Sequence, residues 1–498
     1  MAWNMLPAEL KLMILQSIST DLSTCAAVCK EWQAIVEKAT FNELELLSNP
    51  TDLDLFEQVF GNNIRRQACL RYLWFRVKLP TYGRFLRYTV ETPEQADAAR
   101  ITFSQAILRL LNILHGWDSD KIFKSNPSGL HLELSAHSPS DIANMSGEEN
   151  WTWNYVEWGI RFFDLSFDLE RNPLGFYGLP RVEVVTGFSV LRRNLRRIDH
   201  NSLYAILSNL PRLTEIHLEP WHQPWKDEQE FDDEELAGDI PTWPTSLKKI
   251  NVFQHCETFE EFENGDVAWG SREKCAELGI HIAWRSCQLE ELNVCNWIDA
   301  QHFFKPFSHP QAWSRRHNWE NLRHLTLTTC LITENADNGS LNGLLRTAAK
   351  AAMRMPVVHS IKIYNTTNGD TGIFQYIVSN AEATVRWAST WSFFLQKSVR
   401  ASWAQVARRY RLALAFQHEE LLEDYEDPAT FVHSQLVTRA LVLHPSSTAD
   451  LMGDKTYDDP LEKLRFRPRA PDEMQEALAK QAFWNAEINA ESEKHTKD

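Results

Sequence analysis

Five six-residue stretches carry the reading of the fold: LTEIHL at 213–218, LKKINV at 247–252, LEELNV at 289–294, LRHLTL at 322–327 and VHSIKI at 358–363. Each has an aliphatic residue at its first, fourth and sixth positions, and every residue between them is polar. Aliphatic and polar residues alternating over the last positions give the period of a strand with one buried face. The stretches start 34, 42, 33 and 36 residues apart, which defines a repeating unit. Helical segments alternate with them, among them 200–210 after Asp199 and 341–352 after Ser340. Poorer copies at Phe41-Leu44-Leu46, Leu70-Leu73-Phe75, Leu132-Leu134 and Leu179-Val182-Val184 extend the series toward the N-terminus.

The composition suits a large buried core. Of 498 residues, 43% are hydrophobic and 24% charged, and the length predicts about three domains. The 19 tryptophans read as irregular aromatic core. A net charge of −16 argues against general attraction to nucleic acid or anionic lipid. Eight scattered cysteines read as reduced thiols. No uncharged run reaches the roughly 18 residues of a membrane span, and MAWNMLPAELK at 1–11 has no secretory character. A cytoplasmic or nuclear protein, with no nucleic-acid or membrane partner, is expected. The acidic runs at 227–239 and 257–266, and the stretch 137–150, read as solvated loops.

Residues 6–41, LPAELKLMILQSISTDLSTCAAVCKEWQAIVEKATF, read as three short amphipathic helices. Pro7 opens the first, and Leu6, Leu10, Met13, Ile14 and Ile18 line one face of it. Leu22, Cys25, Ala26 and Cys29 line the second; Trp32, Ile35, Val36 and Ala39 line the third. About forty residues is near the lower limit for an independent core. This stretch resembles the F-box, in the pattern Leu6-Pro7-x-Glu9, the aliphatics at helical spacing, and Val28-Cys29-Lys30-Glu31-Trp32. The link between Ile18 and Leu22 is shorter than usual in that family, and Ala27 replaces a larger aliphatic. The resemblance implies docking to a Skp adaptor, and through it to a cullin scaffold and RING subunit of a ubiquitin ligase. It places Leu6, Pro7, Glu9, Leu10, Ile14, Leu15, Val28, Lys30 and Trp32 at the adaptor, some of them, Trp32 above all, as core instead.

A strand and a helix per unit, stacked side by side, resemble a degenerate leucine-rich-repeat solenoid with insertions; an open α/β sheet is the alternative. The fold class expected is α/β: a three-helix F-box at 1–45, repeats at 46–384, capping helices at 385–425 and a charged, partly disordered extension at 426–498. Within the cap, Val399, Trp403, Val406 and Tyr410 recur at helical spacing. In a solenoid the polar strand positions line one concave face. The candidate target-binding residues are therefore Glu215, His217, Lys249, Asn251, Glu291, Asn293, His324, Thr326, Ser360 and Lys362.

No phosphate loop, nucleophile elbow or paired-His zinc helix occurs in the sequence. His255, Cys256, Cys275, His281, Cys287 and Cys295 lack the close cysteine pairs of a structural zinc site. No catalytic residue, metal or cofactor is expected. The function expected is a non-catalytic substrate receptor of a Skp–cullin–F-box ligase. The alternatives are an adaptor-binding protein without a ligase role and an unrecognised hydrolase or metalloprotein.

Overall fold

A computed structural model describes residues 6, 10, 28–83, 92–140, 179–191, 193–194, 196–220, 226–254, 275–308, 318–367, 370–420, 444 and 447. Its organising element is one sheet of twelve strands whose spatial order is their order in the chain. The strands are β1 (Glu43–Leu47), β2 (Tyr72–Lys78), β3 (Leu130–His137), β4 (Val185–Val190), β5 (Glu215–Leu218), β6 (Lys249–Phe253), β7 (Glu291–Asp299), β8 (His324–Thr328), β9 (Ser360–Thr367), β10 (Asp370–Ser379), β11 (Glu382–Ser389) and β12 (Ala413–Glu420). From β1 to β9 every neighbouring pair is parallel. A doubly wound sheet reverses its strand order part-way. Here each unit lies beside the one before it, as in a leucine-rich-repeat-like solenoid.

Parallel strands need a crossover, and helices supply it. In chain order these are α1 (Lys30–Thr40), α2 (Pro50–Phe60), α3 (Ile64–Cys69), α4 (Pro93–His115), α5 (Ser119–Ser125), α6 (His200–Ser208), α7 (Lys226–Asp239), α8 (Ala276–Ser286), α9 (Ala300–Ser308), α10 (Asn338–Ala352) and α11 (Lys397–Arg409). Their starts follow capping chemistry: Asp199 accepts from the Ser202 N–H ahead of α6, and Thr92 and Gln95 form a capping box ahead of α4. At α10 the cap is Asp337, which accepts from the Ser340 N–H at 2.7 Å.

All fifteen aliphatic positions of the five leading repeats are buried, and they pack with the helices in one continuous core. The tryptophans belong to it. Trp319 lies against Phe303 and Phe307 and donates to Ser286 Oγ at 2.7 Å, and Trp403 lies over Phe374 and Tyr376.

Three expectations are corrected. The fourth early repeat is Val185-Phe188-Val190, six residues after Leu179-Val182-Val184, because Phe188 is the residue in register with Ile216. The segment at 385–425 is not helical throughout: α11 is flanked by β11 and β12, which pair in parallel, so the sheet runs on past residue 384. The acidic run at 227–239 is helix α7, since Gln229, Asp233 and Ala237 recur one turn apart on a buried face. Of the other loop assignments, 257–266 and 141–150 lie outside the described residues.

Leu292, fully buried in β7 between two paired strands, tests the shared core. Leu292→Ala is expected to cost about 3 kcal/mol, read as a lowered midpoint of chemical unfolding.

Candidate functional site

Register in a parallel sheet aligns side chains across strands, so one residue per strand forms a rung. Glu215, Lys249, Glu291, His324 and Ser360 are successive partners across β5 to β9, and His217, Asn251, Asn293, Thr326 and Lys362 form the next rung. All ten candidate target-binding residues therefore share the sheet face opposite the helices. In the first rung His324 is exposed and the other four half-buried; in the second only Lys362 is not fully buried.

Cross-strand contacts link these side chains. Asn293 Nδ2 donates to Asn251 Oδ1 at 2.7 Å and to Glu291 Oε1 at 2.8 Å. Lys249 Nζ stands 3.8 Å from Glu291 Oε2, and His324 Nδ1 lies 3.0 Å from Ser360 Oγ. Burial lowers the Lys362 ammonium below its ordinary value, although Cys295 and Glu291 oppose the shift.

The rungs continue onto β2 to β4 through residues the sequence did not single out. Tyr72 and His131 stack at 5.2 Å, and the Tyr72 hydroxyl donates to the buried Glu133. Arg193 grips both Glu133 oxygens, at 2.6 and 2.5 Å, and its guanidinium lies 3.4 Å from the centre of the Trp74 ring. His131 Nε2 meets Ser189 Oγ at 2.9 Å. Its ring lies over Gly187, where a Cβ would come within 2.3 Å of Nδ1. That close approach accounts for a glycine inside a strand. The missed signal was Glu133, a carboxylate in the middle of LHLELSAH with Tyr72 and His131 at the preceding rung position.

At the end of β5, Glu219 is fully buried. It accepts from His217 Nε2 at 2.9 Å, from the His444 backbone N–H at 2.9 Å and from Ser447 Oγ at 2.5 Å. Burial pushes this carboxyl up, but the hydrogen bonds from His217, Ser447 and His444 prevail and hold it at about 2. His444 and Ser447 thus belong to the sheet face, although they fall in the stretch expected to be a charged extension. Beside Glu219 lies a cavity of about 70 Å³, lined also by His200, Asp233 and Gln254.

At the N-terminal edge, Glu37 of α1 is buried and paired with Arg65 and with Arg66, whose Nε donates at 3.0 Å. Phe41 packs edge-on against Phe60 at 5.2 Å. These contacts join α1 to the first repeat. The model of an F-box-like domain matches residues 3–41. The chain carries an F-box-like domain at its N-terminus. A family of unknown function (DUF6546) matches residues 242–444, from just before β6 through β12 to His444. No curated protein matches the chain. Within the F-box-like domain Leu10, Val28 and Lys30 are exposed and Leu6 and Trp32 half-buried, while Pro7, Glu9, Ile14 and Leu15 lie outside the described residues.

Among the described residues no group of three or more His, Cys, Asp or Glu is placed to hold a metal, and no helix is long and apolar enough to cross a membrane. His255 and Cys256 lie outside the described residues. Cys295 is buried beside the Tyr364 hydroxyl at 2.7 Å, and burial pushes its thiol up to about 12. Burial likewise takes Cys287 up to about 11. Neither is a thiolate at neutral pH.

Burial, helped by neighbouring histidines, holds His131 and His444 at about 4, below the ordinary 6.5. A depressed histidine lends its full stability above pH 6.5 and loses it as pH falls toward 4. Glu219 acts in the same direction between 4.5 and 2. The thermal midpoint is expected to fall as pH drops from 6.5 to 4, and His131→Gln is expected to flatten that slope.

Proposed function

We propose that this protein is a substrate-recognition subunit of a Skp–cullin–F-box ubiquitin ligase, with the F-box-like domain docking the Skp adaptor and the polar sheet face holding a target protein. The F-box-like match at 3–41 carries the reading. The exposed Leu10 and Val28 suit adaptor docking, since a module of this size gains by covering leftover apolar surface on a partner. On this reading Leu6, Pro7, Glu9, Leu10, Ile14, Leu15, Val28 and Lys30 face the adaptor, with Trp32 divided between adaptor and core.

The receptor's contribution is effective concentration and orientation, and ubiquitin transfer belongs to other subunits. Orientation needs a stiff joint, and the buried Glu37 with Arg65 and Arg66 supplies one. Mixed acidic, basic and amide groups along the two rungs suit a polar, extended protein segment rather than a polyanion. The cytoplasm and nucleus are where such an assembly would act.

Co-purification tests the reading. Wild-type protein is expected to retain the adaptor and cullin, and a Leu6→Ala, Pro7→Ala, Leu10→Ala variant is expected to lose both while keeping its circular dichroism. Adaptor without cullin would reduce the function to adaptor binding alone; no adaptor with either protein would overturn it.

A further inference from the structure

Followed to both edges of the sheet, the second rung sorts its charges. Toward β1 it runs from His217 through Ser189, Glu133 and Trp74 to Glu45. Toward β12, Thr326 pairs with Lys362, Lys362 with Gln375, Gln375 with Arg386, and Arg386 with Gln417. Its two carboxylates therefore lie on β1 and β3, and its lysine and arginine on β9 and β11. More positive groups gather at that same end, where the strands begin. Arg323, His324 and His359 are exposed, and the two imidazole rings stand 5.8 Å apart. Burial lowers the His324 imidazole below its ordinary value; Glu291 opposes the shift, while His359, Lys362 and Arg323 add to it. These side chains thus lie within each other's field. In a chain of net charge −16 they make a local reversal of sign.

Spacing and sign together define what fits. Lys362 and Arg386 are separated by β10, so their backbones lie two strand spacings, about 10 Å, apart. An extended segment crossing the strands covers that distance in about three residues. Gln375 stands between the two cations and is buried, so the positive charge comes at two points rather than as a continuous strip. A polyanion lying along the face would go on to meet Glu291 and Glu215 of the first rung and Glu45 at the edge strand. Negative charge on the partner is therefore favoured over β9 to β11 and disfavoured over the rest of the sheet.

We propose that the β8–β11 end of the polar face is the acidic-residue subsite for the target, in which Lys362 and Arg386 each take an Asp or Glu side chain of an extended segment, the two acidic residues standing three apart. Arg323, His324 and His359 at the rim add attraction for the same charge, and the amide-lined middle of the sheet receives the uncharged remainder of the segment. The inference rests on the receptor reading for the statement that this face meets a target, and it adds the chemistry and the direction of that target.

The probe is a fluorescent Gly-Ser peptide with one Glu-Gly-Ser-Glu block at its end, titrated into the full-length chain beside a twin carrying Gln-Gly-Ser-Gln. The acidic peptide is expected to bind about 10-fold more tightly than its twin, and high salt should erase the difference. Lys362→Met, which keeps the half-buried stem, and Arg386→Gln are each expected to weaken the acidic peptide about 5-fold and to leave the twin unchanged. Lys121→Gln, on α5, removes the same charge elsewhere and is expected to change neither. Equal binding of the two peptides, an equal loss with Lys121→Gln, or tighter binding of a single-stranded oligonucleotide than of the acidic peptide would overturn the proposal. Having both Lys362→Met and Arg386→Gln keeps the test valid if one variant misfolds, and circular dichroism identifies that case. Cullin retention, measured in parallel, separates the two readings: acidic-peptide binding without cullin sinks the ligase role alone, and cullin without a preference for the acidic peptide sinks this subsite alone.

Discussion

In-register parallel pairing is the constraint on which the rest of this structure depends. A shift of one residue in any strand would turn its aliphatic positions outward and its polar positions into the helical layer. With Leu213, Leu247, Leu289, Leu322 and Val358 all buried at equivalent positions, each unit fixes the register of the next. The polar rungs follow from the same pairing. Glu215 meets Lys249, Lys249 meets Glu291, and Glu291 meets His324 because Ile216, Ile250, Leu292 and Leu325 must share one side.

The leading five repeats were legible because their requirement is local: three aliphatics separated by polar residues, all within six positions. The fourth early unit was not, since its strand carries Gly187 and Phe188, and the glycine answers to the His131 ring rather than to any strand propensity. Strands β10 to β12 were likewise invisible as repeats. They close the sheet as a hairpin and a parallel return, so their pattern follows neither the spacing nor the composition of the units before them. Helix α7 was hidden by its charge, because its buried face uses Gln229 and Asp233 beside Ala237.

The candidate face was legible as a set of positions, and the register gathers all ten into two rungs. Its chemistry was less so. Tyr72, Glu133 and Arg193 make one network from three parts of the sequence, and Glu219 depends on residues more than two hundred positions away. Contacts of that kind leave no periodic trace. At the other end, Glu37 reads in sequence as one more solvent-facing charge on a short helix. It is instead the buried partner of Arg65 and Arg66 that ties the F-box-like domain to the first repeat.

The central claim is that targets are held on the polar rungs, with the helical side facing away. A photo-crosslinking residue placed at Glu291 in β7, and separately at Lys350 on α10, in cells with the proteasome inhibited, tests it most directly. The account predicts ubiquitinated proteins joined through position 291 and none through position 350. Crosslinks to ubiquitinated partners from position 350 alone would contradict it.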